Sequence, residues 1–150
     1  MLDITIIAVG KLKEKFYLDA CGEYVKRLGA YCKIAVAELP ESKKENNMEY
    51  EADAILAAVP KGAYICAMCV EGEEMTSEQF SAKIEKISAE ASKIAFIIGG
   101  SDGLSQRVKS AAKLRMSMSR MTLPHHLARV MLLEQIYRAM NISSGGKYHK

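Results

Sequence analysis

The sequence predicts an α/β protein with a mainly parallel sheet flanked by helices, and three observations support this fold class. Apolar β-like runs alternate along the chain with segments of helical periodicity. Two of the runs, ITIIAV and IAFII, are apolar almost throughout, as in strands buried on both faces. A glycine-rich turn follows Ile94–Ile98, and ligands of parallel sheets bind beyond the carboxyl ends of strands.

The alternation predicts five strands and five helices. The strands are Asp3–Val9, Lys33–Leu39, Ala63–Val70, Ile94–Ile98 and Leu114–Met118. The helices cover residues 14–29, 48–58, 77–91, 105–113 and a long last segment begun by Thr122 and Pro124. The stretch Pro40–Asn47 is the most loop-like. Without a linker or an internal repeat, residues 1–150 are expected to form one domain.

Composition places the chain among soluble globular proteins. Apolar residues make up 49% and charged residues 26% of its 150 residues. No apolar run approaches the roughly 20 residues that cross a bilayer. The amino-terminal stretch has the acidic Asp3 and no basic segment, so it reads as a strand rather than a signal peptide. We expect a cytoplasmic protein without a membrane partner.

Four cysteines include one C-x-x-C pair, Cys66 and Cys69, inside the apolar run AYICAMCV. Residues three apart in a strand point to opposite faces, which does not suit a shared metal or an exchanging dithiol. No second C-x-x-C exists, and the histidines are distant in sequence. We therefore expect buried structural cysteines and no metal site.

Charge is unevenly distributed along the chain. From Ser105 to Lys150 there are nine Lys/Arg residues and one acidic residue, a net charge of +8, whereas the rest of the chain carries −5. This asymmetry is compatible with an anionic partner such as RNA, and equally with charges that solvate helix faces. The sequence has no basic tail and no aromatic ribonucleoprotein motif, so RNA contact would need a folded surface.

The glycine turn Gly99-Gly100-Ser101-Asp102-Gly103 fails two phosphate-binding patterns. The first position of G-x-G-x-x-G would fall on Ile98, and no lysine follows Gly103 as a P-loop requires. Asp102 is suited to cap the following helix, although its charge disfavours a bound phosphate. The turn is either a ligand-binding turn of another kind or a plain strand-to-helix connection.

The last helix is apolar around more than one stripe, which indicates burial on two sides, including a subunit interface. Its few polar residues are spaced for contact: His125 with Arg129, and Glu134 with Arg138, are i,i+4 pairs. The second pair is also compatible with a structural salt bridge. After two glycines the chain ends in Tyr148, His149 and a lysine, where a flexible terminus is the simpler interpretation.

Four segments together resemble the ribosomal RNA large subunit methyltransferase H family of the SPOUT superfamily. They are IIAVGKLKEKFY, FIIGGSDGLS, MSMSRMTLPHHLARVMLLEQIYRA and the terminal YHK. The resemblance covers nearly the whole chain. It implies an enzyme that uses S-adenosylmethionine to methylate N3 of a pseudouridine in large-subunit ribosomal RNA. It also implies a homodimer and a carboxyl-terminal trefoil knot, which general fold rules would not predict.

The resemblance assigns site residues by motif. Gly99 and the loop Met118-Ser119-Arg120-Met121-Thr122-Leu123 correspond to cofactor contacts, and Met68 forms a further wall. Family members often have a leucine followed by an acidic residue at this last place, where this chain has Met68-Cys69. The expected catalytic residues are His125, Arg129, Glu134, Arg138, Tyr148 and His149.

Methyl transfer from a sulfonium needs alignment of donor and acceptor, and removal of the N3 proton. His125, Glu134 and His149 are candidate proton acceptors, Tyr148 an orienting hydroxyl, and Arg129 and Arg138 partners for phosphate or an anionic base. We expect the YHK tail to close over the site after RNA binds.

Three other functions are alternatives to this one. They are a non-catalytic ribosome- or RNA-binding protein, a small-molecule enzyme with a nucleotide cofactor, and a methyltransferase that does not distinguish uridine from pseudouridine.

Overall fold

In the computed structural model, which describes residues 1–43 and 47–150, the chain forms a five-stranded sheet whose described strand pairs are all parallel. The spatial order of the strands is β2-β1-β4-β3-β5. The strands are β1 Asp3–Val9, β2 Lys33–Leu39, β3 Tyr64–Glu74, β4 Lys93–Ile98 and β5 Leu114–Ser117. The helices are α1 Lys15–Leu28, α2 Asn47–Ala58, α3 Ser77–Ser88, α4 Gln106–Ala111 and α5 His125–Ser143.

The sheet separates two apolar cores, which confirms the predicted layered α/β fold. On one face, Ile4, Ile6 and Phe96 pack with residues of α1, α3 and α5. On the other face, Ile7 and Ile97 pack with residues of α2 and α4. Neighbouring residues of β1 and β4 thus alternate between the two cores. The central residues of both strands are mostly apolar because both faces are covered.

The predicted elements occur in the predicted order, and their ends differ most at β3. This strand continues to Glu74, whereas the sequence predicted its end at Val70. Met68 and Glu73 both pair with Met116, so the residues between them leave the ladder as a bulge. Sequence periodicity missed this extension because it depends on pairing with a distant strand.

Two local expectations at the loops have different outcomes. Pro40–Asn47 was expected to be a loop: residues 40–43 are irregular, α2 begins at Asn47, and residues 44–46 lie outside the described residues. The expectation that Asp102 caps α4 is wrong. The hydroxyl of Ser105 accepts the Val108 N–H instead, and the Asp102 carboxylate accepts from the amide of Asn47.

Helix α5 packs along the sheet between α1 and α3. Leu132, Leu133 and Ile136 are fully buried, whereas Met131 and Met140 are half-buried. The broad apolar surface predicted for this helix is therefore only partly covered within one chain. Throughout residues 1–43 and 47–150, no helix is both long enough and apolar enough to span a bilayer.

The positive charge of the last third is largely compensated in three dimensions. Five of its nine basic residues form ion pairs with described acidic side chains, most of them from other elements. These pairs are Arg107–Asp53, Lys109–Glu71, Arg120–Glu74, Arg129–Glu38 and Arg138–Glu134. The asymmetry seen along the sequence therefore does not translate directly into a uniform basic surface.

Candidate functional site

A cavity of about 360 Å³ lies where β3, β4 and β5 end and α5 begins. It is lined by seven of the eight residues that the sequence assigns to cofactor contacts. These are Met68, Gly99, Met118, Ser119, Met121, Thr122 and Leu123. The eighth, Arg120, is outside the lining: its side chain is 91% exposed and pairs with Glu74 at 2.9 Å. Three separate sequence segments thus meet at one edge of the sheet.

The glycine turn forms a wall of this cavity because its backbone folds tightly on itself. A Cβ atom at Gly99 would lie 2.6 Å from the backbone carbonyl of Gly103, and Gly103 has a φ of +81°. The Glu41 carboxylate fixes the turn from outside, since it accepts the Ser101 N–H at 3.0 Å and the Ser101 hydroxyl at 3.1 Å. Only glycine allows this close approach.

The lining suits a ligand that combines an apolar body with a few charges. Ile98, Leu104, Met116 and other apolar side chains cover most of it, and only a few ionisable side chains reach it, namely Glu71, Asp102, Lys109 and His125. The volume lies in the range of small-molecule sites, which is roughly 300–1,000 Å³. Its place beyond the carboxyl ends of parallel strands is where such sheets bind ligands.

His125 borders the cavity from the first turn of α5. Its Nε2 atom would lie 2.9 Å from a Cβ at Gly10, a residue with a φ of +100°, so the ring is wedged against the end of β1. The His126 ring lies beside it at a centroid distance of 4.1 Å. Burial and the neighbouring His126 lower the pKa of His125, and the carboxylate of Glu41 only partly opposes this. His125 is therefore neutral near pH 7.

Arg129 lies beneath the surface, unlike an RNA-contacting arginine. Its guanidinium is 3% exposed and donates to Glu38 Oε2 at 2.7 Å and to the Gly10 carbonyl at 2.7 Å. Burial alone would raise the pKa of Glu38, but the hydrogen bonds from Arg129 and the Leu12 N–H lower it overall. Arg129 thus ties the start of α5 to the ends of β1 and β2, and this placement does not fit the expected contact with RNA phosphate.

The other four expected catalytic residues form one cluster on α5. Arg138 Nη2 and the Tyr148 hydroxyl each donate to Glu134 Oε2 at 2.7 Å. The Arg138 guanidinium also stacks on the Tyr148 ring, 4.7 Å from its centroid. Burial and the hydrogen bond to Glu134 strongly raise the pKa of Tyr148, so its hydroxyl is protonated. The carboxyl-terminal tail is therefore docked on its own chain.

His149 completes this cluster, and its partners define its tautomer. Nδ1 lies 3.0 Å from Arg138 Nη1, and Nε2 lies 2.6 Å from Glu78 Oε1. Arginine only donates, so Nδ1 must carry a lone pair and Nε2 a hydrogen. In this arrangement both nitrogens of the imidazole are engaged.

Glu134, Arg138, Tyr148 and His149 form what we call the tail cluster. Within one chain, this cluster does not reach the 360 Å³ cavity. A second cavity of about 270 Å³ lies between them, lined by Ser77, Met131 and Gln135 among others. Gln135 connects it to the cluster, since its amide donates to Glu134 at 2.9 Å. Residues Met116–Met118 line both cavities.

The cysteines behave as apolar residues. Cys66 is fully buried, and burial strongly raises the pKa of its thiol. Cys69 is half-buried in the bulge of β3 and borders the first cavity. Among the described residues, no group of three or more His, Cys, Asp or Glu side chains is placed to hold a metal ion.

Comparison with known proteins places the chain in a family. A family model described as "Predicted SPOUT methyltransferase" matches residues 2–149. The chain belongs to the SPOUT methyltransferase family. Among SPOUT relatives, "Ribosomal RNA large subunit methyltransferase H" of Clostridium acetobutylicum is 45% identical, over 99% of this chain and all of that protein. The protein of the same name from Listeria monocytogenes serotype 4a is 41% identical with the same coverage.

A structural comparison agrees on the fold. The structure of a probable methylase family protein from Haemophilus influenzae Rd KW20 aligns with a TM-score of 0.60. The alignment covers the whole of this chain and 72% of that one, at 15% sequence identity. This identity is low, so the likeness describes the SPOUT fold alone.

Sequence reasoning missed the supporting residues. Glu38 and Glu41 act from β2 and the loop after it, and Glu78 from the start of α3. Gly10 supports the site by a positive φ that only glycine adopts readily. The sequence marked Gly10 only by its place directly after a buried strand. It gave no sign of the roles of Glu38, Glu41 and Glu78, because their partners are distant in sequence.

Proposed function

We propose that this protein methylates N3 of a pseudouridine in large-subunit ribosomal RNA with S-adenosylmethionine as donor. We further propose that it acts on the assembled ribosome in the cytoplasm, as a homodimer of one-domain, trefoil-knotted chains spanning residues 1–150. The observation that carries the proposal is the cavity lined by Met68, Gly99 and five residues of the loop 118–123. The names of the SPOUT relatives, which specify ribosomal RNA, support the substrate class.

The cavity fits the proposed methyl donor in size and chemistry. S-adenosylmethionine supplies an activated methyl group when bound. Met68, the backbone at Gly99 and the loop 118–123 would hold it, because apolar side chains and closely approaching backbone suit a flat nucleoside. The role of these residues is to position the donor for in-line transfer, which is a task of orientation rather than of acid–base chemistry.

Removal of the N3 proton is assigned to the tail cluster. His149 is favoured as acceptor because Nδ1 has Arg138 as its partner and regains an available lone pair once the tail leaves that arginine. The Glu134 carboxylate is already engaged by Arg138 and Tyr148, which leaves it to hold them in place. Arg138 would then be free to stabilise the anionic base, once the tail has released it.

A second chain would bring the two halves of the site together. Within one chain the tail cluster is separated from the donor cavity by a second cavity, and α5 retains half-buried apolar residues such as Met131 and Met140. Both features support a homodimer in which the tail of one protomer serves the cavity of its partner.

The proposed function is tested by transfer of labelled methyl from S-adenosylmethionine to ribosomes of a strain that lacks this protein. The modified nucleotide is then identified by mass mapping. We expect a single methyl group on one large-subunit pseudouridine. Methylation of a uridine or of another RNA would contradict the assigned substrate. Donor binding without any transfer would favour a non-catalytic RNA-binding role.

The shared site is tested by mixing two inactive variants. Gly99→Ala weakens donor binding, so this variant is nearly inactive when the donor concentration is kept well below its Kd. His149→Ala removes the proposed proton acceptor. If the tail acts across the dimer, each heterodimer contains one intact site. Random exchange makes about half of the dimers heterodimers, and each has one of its two sites intact, so mixing restores up to about a quarter of wild-type activity. No recovery, with exchange of chains verified by mass spectrometry, would contradict action across the interface.

A further inference from the structure

We propose that the Lys109–Glu71 ion pair at the rim of the cavity holds the amino-acid end of the methyl donor. The pair would distinguish donors that carry this end from nucleosides that lack it. This inference rests on the proposed function, since it assigns residues to one part of the proposed donor.

The two charges are held at the cavity by different elements. Lys109 belongs to α4 and Glu71 to the bulge of β3, and both line the cavity. Their side chains form an ion pair and are 20% and 59% exposed, respectively. Arg115 Nε donates to the Lys109 carbonyl at 3.2 Å, which fixes the end of α4 beside β5.

The bulge explains why Glu71 is at the cavity at all. Met68 and Glu73 share the partner Met116, so residues 69–72 are excluded from the ladder. Gly72 makes this possible, because a Cβ there would lie 2.7 Å from the Met116 backbone. The excluded residues Cys69, Val70 and Glu71 consequently form part of the cavity lining next to Met68.

The ion pair can exchange partners when the donor binds. The Glu71 side chain is 59% exposed, so solvent screens the pair and opening it has a modest cost. The α-carboxylate of an amino acid matches the ammonium of Lys109, and its α-ammonium matches the carboxylate of Glu71. Insertion of this zwitterion replaces one ion pair by two. The hydrogen bond from Lys109 lowers the pKa of Glu71, so the carboxylate is charged near pH 7.

The other polar groups of the lining are less suited to this end of the donor. The Asp102 carboxylate accepts from the amide of Asn47, and none of its ion pairs within residues 1–43 and 47–150 involves a lysine. His125 has a lowered pKa and is neutral. Of the lining residues, Lys109 and Glu71 alone form an ion pair of opposite charges in the described part of the chain.

The test compares two ligands by isothermal calorimetry. S-adenosylhomocysteine carries the amino-acid end, and 5′-methylthioadenosine lacks it. We expect wild-type protein to bind the former at least about tenfold more tightly, which corresponds to about 1.4 kcal/mol. Lys109→Met and Glu71→Gln should each reduce this ratio about three- to tenfold and leave 5′-methylthioadenosine affinity within twofold. Lys15→Met removes an exposed ion pair with Asp19 on α1 and should leave the ratio unchanged.

The outcomes separate this inference from the function on which it rests. An unchanged ratio in Lys109→Met and Glu71→Gln overturns the assignment. Equal weakening of both ligands also overturns it, because the pair would then only shape the bulge. If wild-type protein binds neither ligand, the proposed function itself fails.

Discussion

The 360 Å³ cavity, which we propose holds the methyl donor, and the tail cluster are built in opposite ways. The cavity walls depend on backbone: Gly99 lies against Gly103, and Gly72 against Met116, at distances that exclude a side chain. The tail cluster depends on side chains, where Glu134, Arg138 and Tyr148 exchange hydrogen bonds of 2.7 Å in a half-buried setting. A backbone wall has one shape, whereas a network of side chains can change partners. This contrast fits a fixed donor site and a tail that moves during the reaction.

The strongest challenge to the backbone wall is Gly99→Ala. The added Cβ would lie 2.6 Å from the Gly103 carbonyl, so the turn must open. Overpacking of this kind costs roughly 1–3 kcal/mol, and we expect S-adenosylhomocysteine affinity to fall about ten- to a hundredfold. Calorimetry measures the effect.

Gly22→Ala is the matched control for this substitution. Gly22 lies within α1, and a Cβ there would meet nothing within 4 Å. The replacement should raise the free energy of unfolding by about 0.5–1 kcal/mol and leave ligand affinity unchanged. If Gly99→Ala bound S-adenosylhomocysteine as tightly as the wild type does, the glycine turn would have adjusted to the added Cβ. The cavity would then not be more rigid than the tail cluster.

A second prediction concerns the junction between the regions, where Arg129 holds the start of α5. Glu38→Gln leaves the guanidinium buried without its counter-charge. Loss of a partner from a fully buried pair costs about 3–5 kcal/mol. Since the Glu38 side chain is 35% exposed, we expect a smaller loss of about 1–2 kcal/mol in the free energy of unfolding at pH 7. Urea denaturation measures this loss.

The pH dependence of this loss has a definite sign. The pKa of Glu38 is lowered in the folded state from its ordinary value of 4.5. The stabilisation is therefore present above about pH 4.5 and disappears as the pH falls through the folded-state pKa. The difference between wild type and Glu38→Gln should shrink below pH 4.5. A difference that stays constant there would show that charge is not its source.

Glu23→Gln is the control, because Glu23 forms an exposed pair with Arg27. It should lower the free energy of unfolding by less than about 0.5 kcal/mol.

The sequence predicted the strands, helices and their order because these depend on local periodicity. Asp3–Val9 and Lys33–Leu39 are short, contain β-branched residues and end before Gly10 and Pro40, which favours strands over helices. The ends of β3 were not predictable in this way. Its last residues join the sheet only because β5 lies beside them, and no local pattern records that pairing.

The candidate site was predictable only as a set of motif residues. The resemblance brought Met68, Gly99 and the loop 118–123 together, and the cavity unites all of these except Arg120. It could not reveal that Arg129 is buried, because Glu38 lies 91 residues away in the chain. Asp102 and Ser105 are both good capping residues, and the choice between them depends on how the glycine turn folds.

The last substitution, Tyr148→Phe, has the smallest expected effect on global stability. It tests whether the carboxyl-terminal tail can leave the protein without unfolding it. Tyr148→Phe removes the hydroxyl that donates to Glu134 and leaves the ring stacked on Arg138. A hydrogen bond to a charged group contributes about 1.5 kcal/mol net at the lower end of its range, so the undocked population of the tail should rise roughly tenfold. The rate at which carboxypeptidase removes the last residues should increase by the same factor, while the free energy of global unfolding changes little. Tyr64→Phe on β3 is the control, and it should leave the rate of carboxypeptidase cleavage unchanged.

If Tyr148→Phe instead lowered the free energy of global unfolding, the tail would be part of the core. Its proposed release during catalysis would then be contradicted.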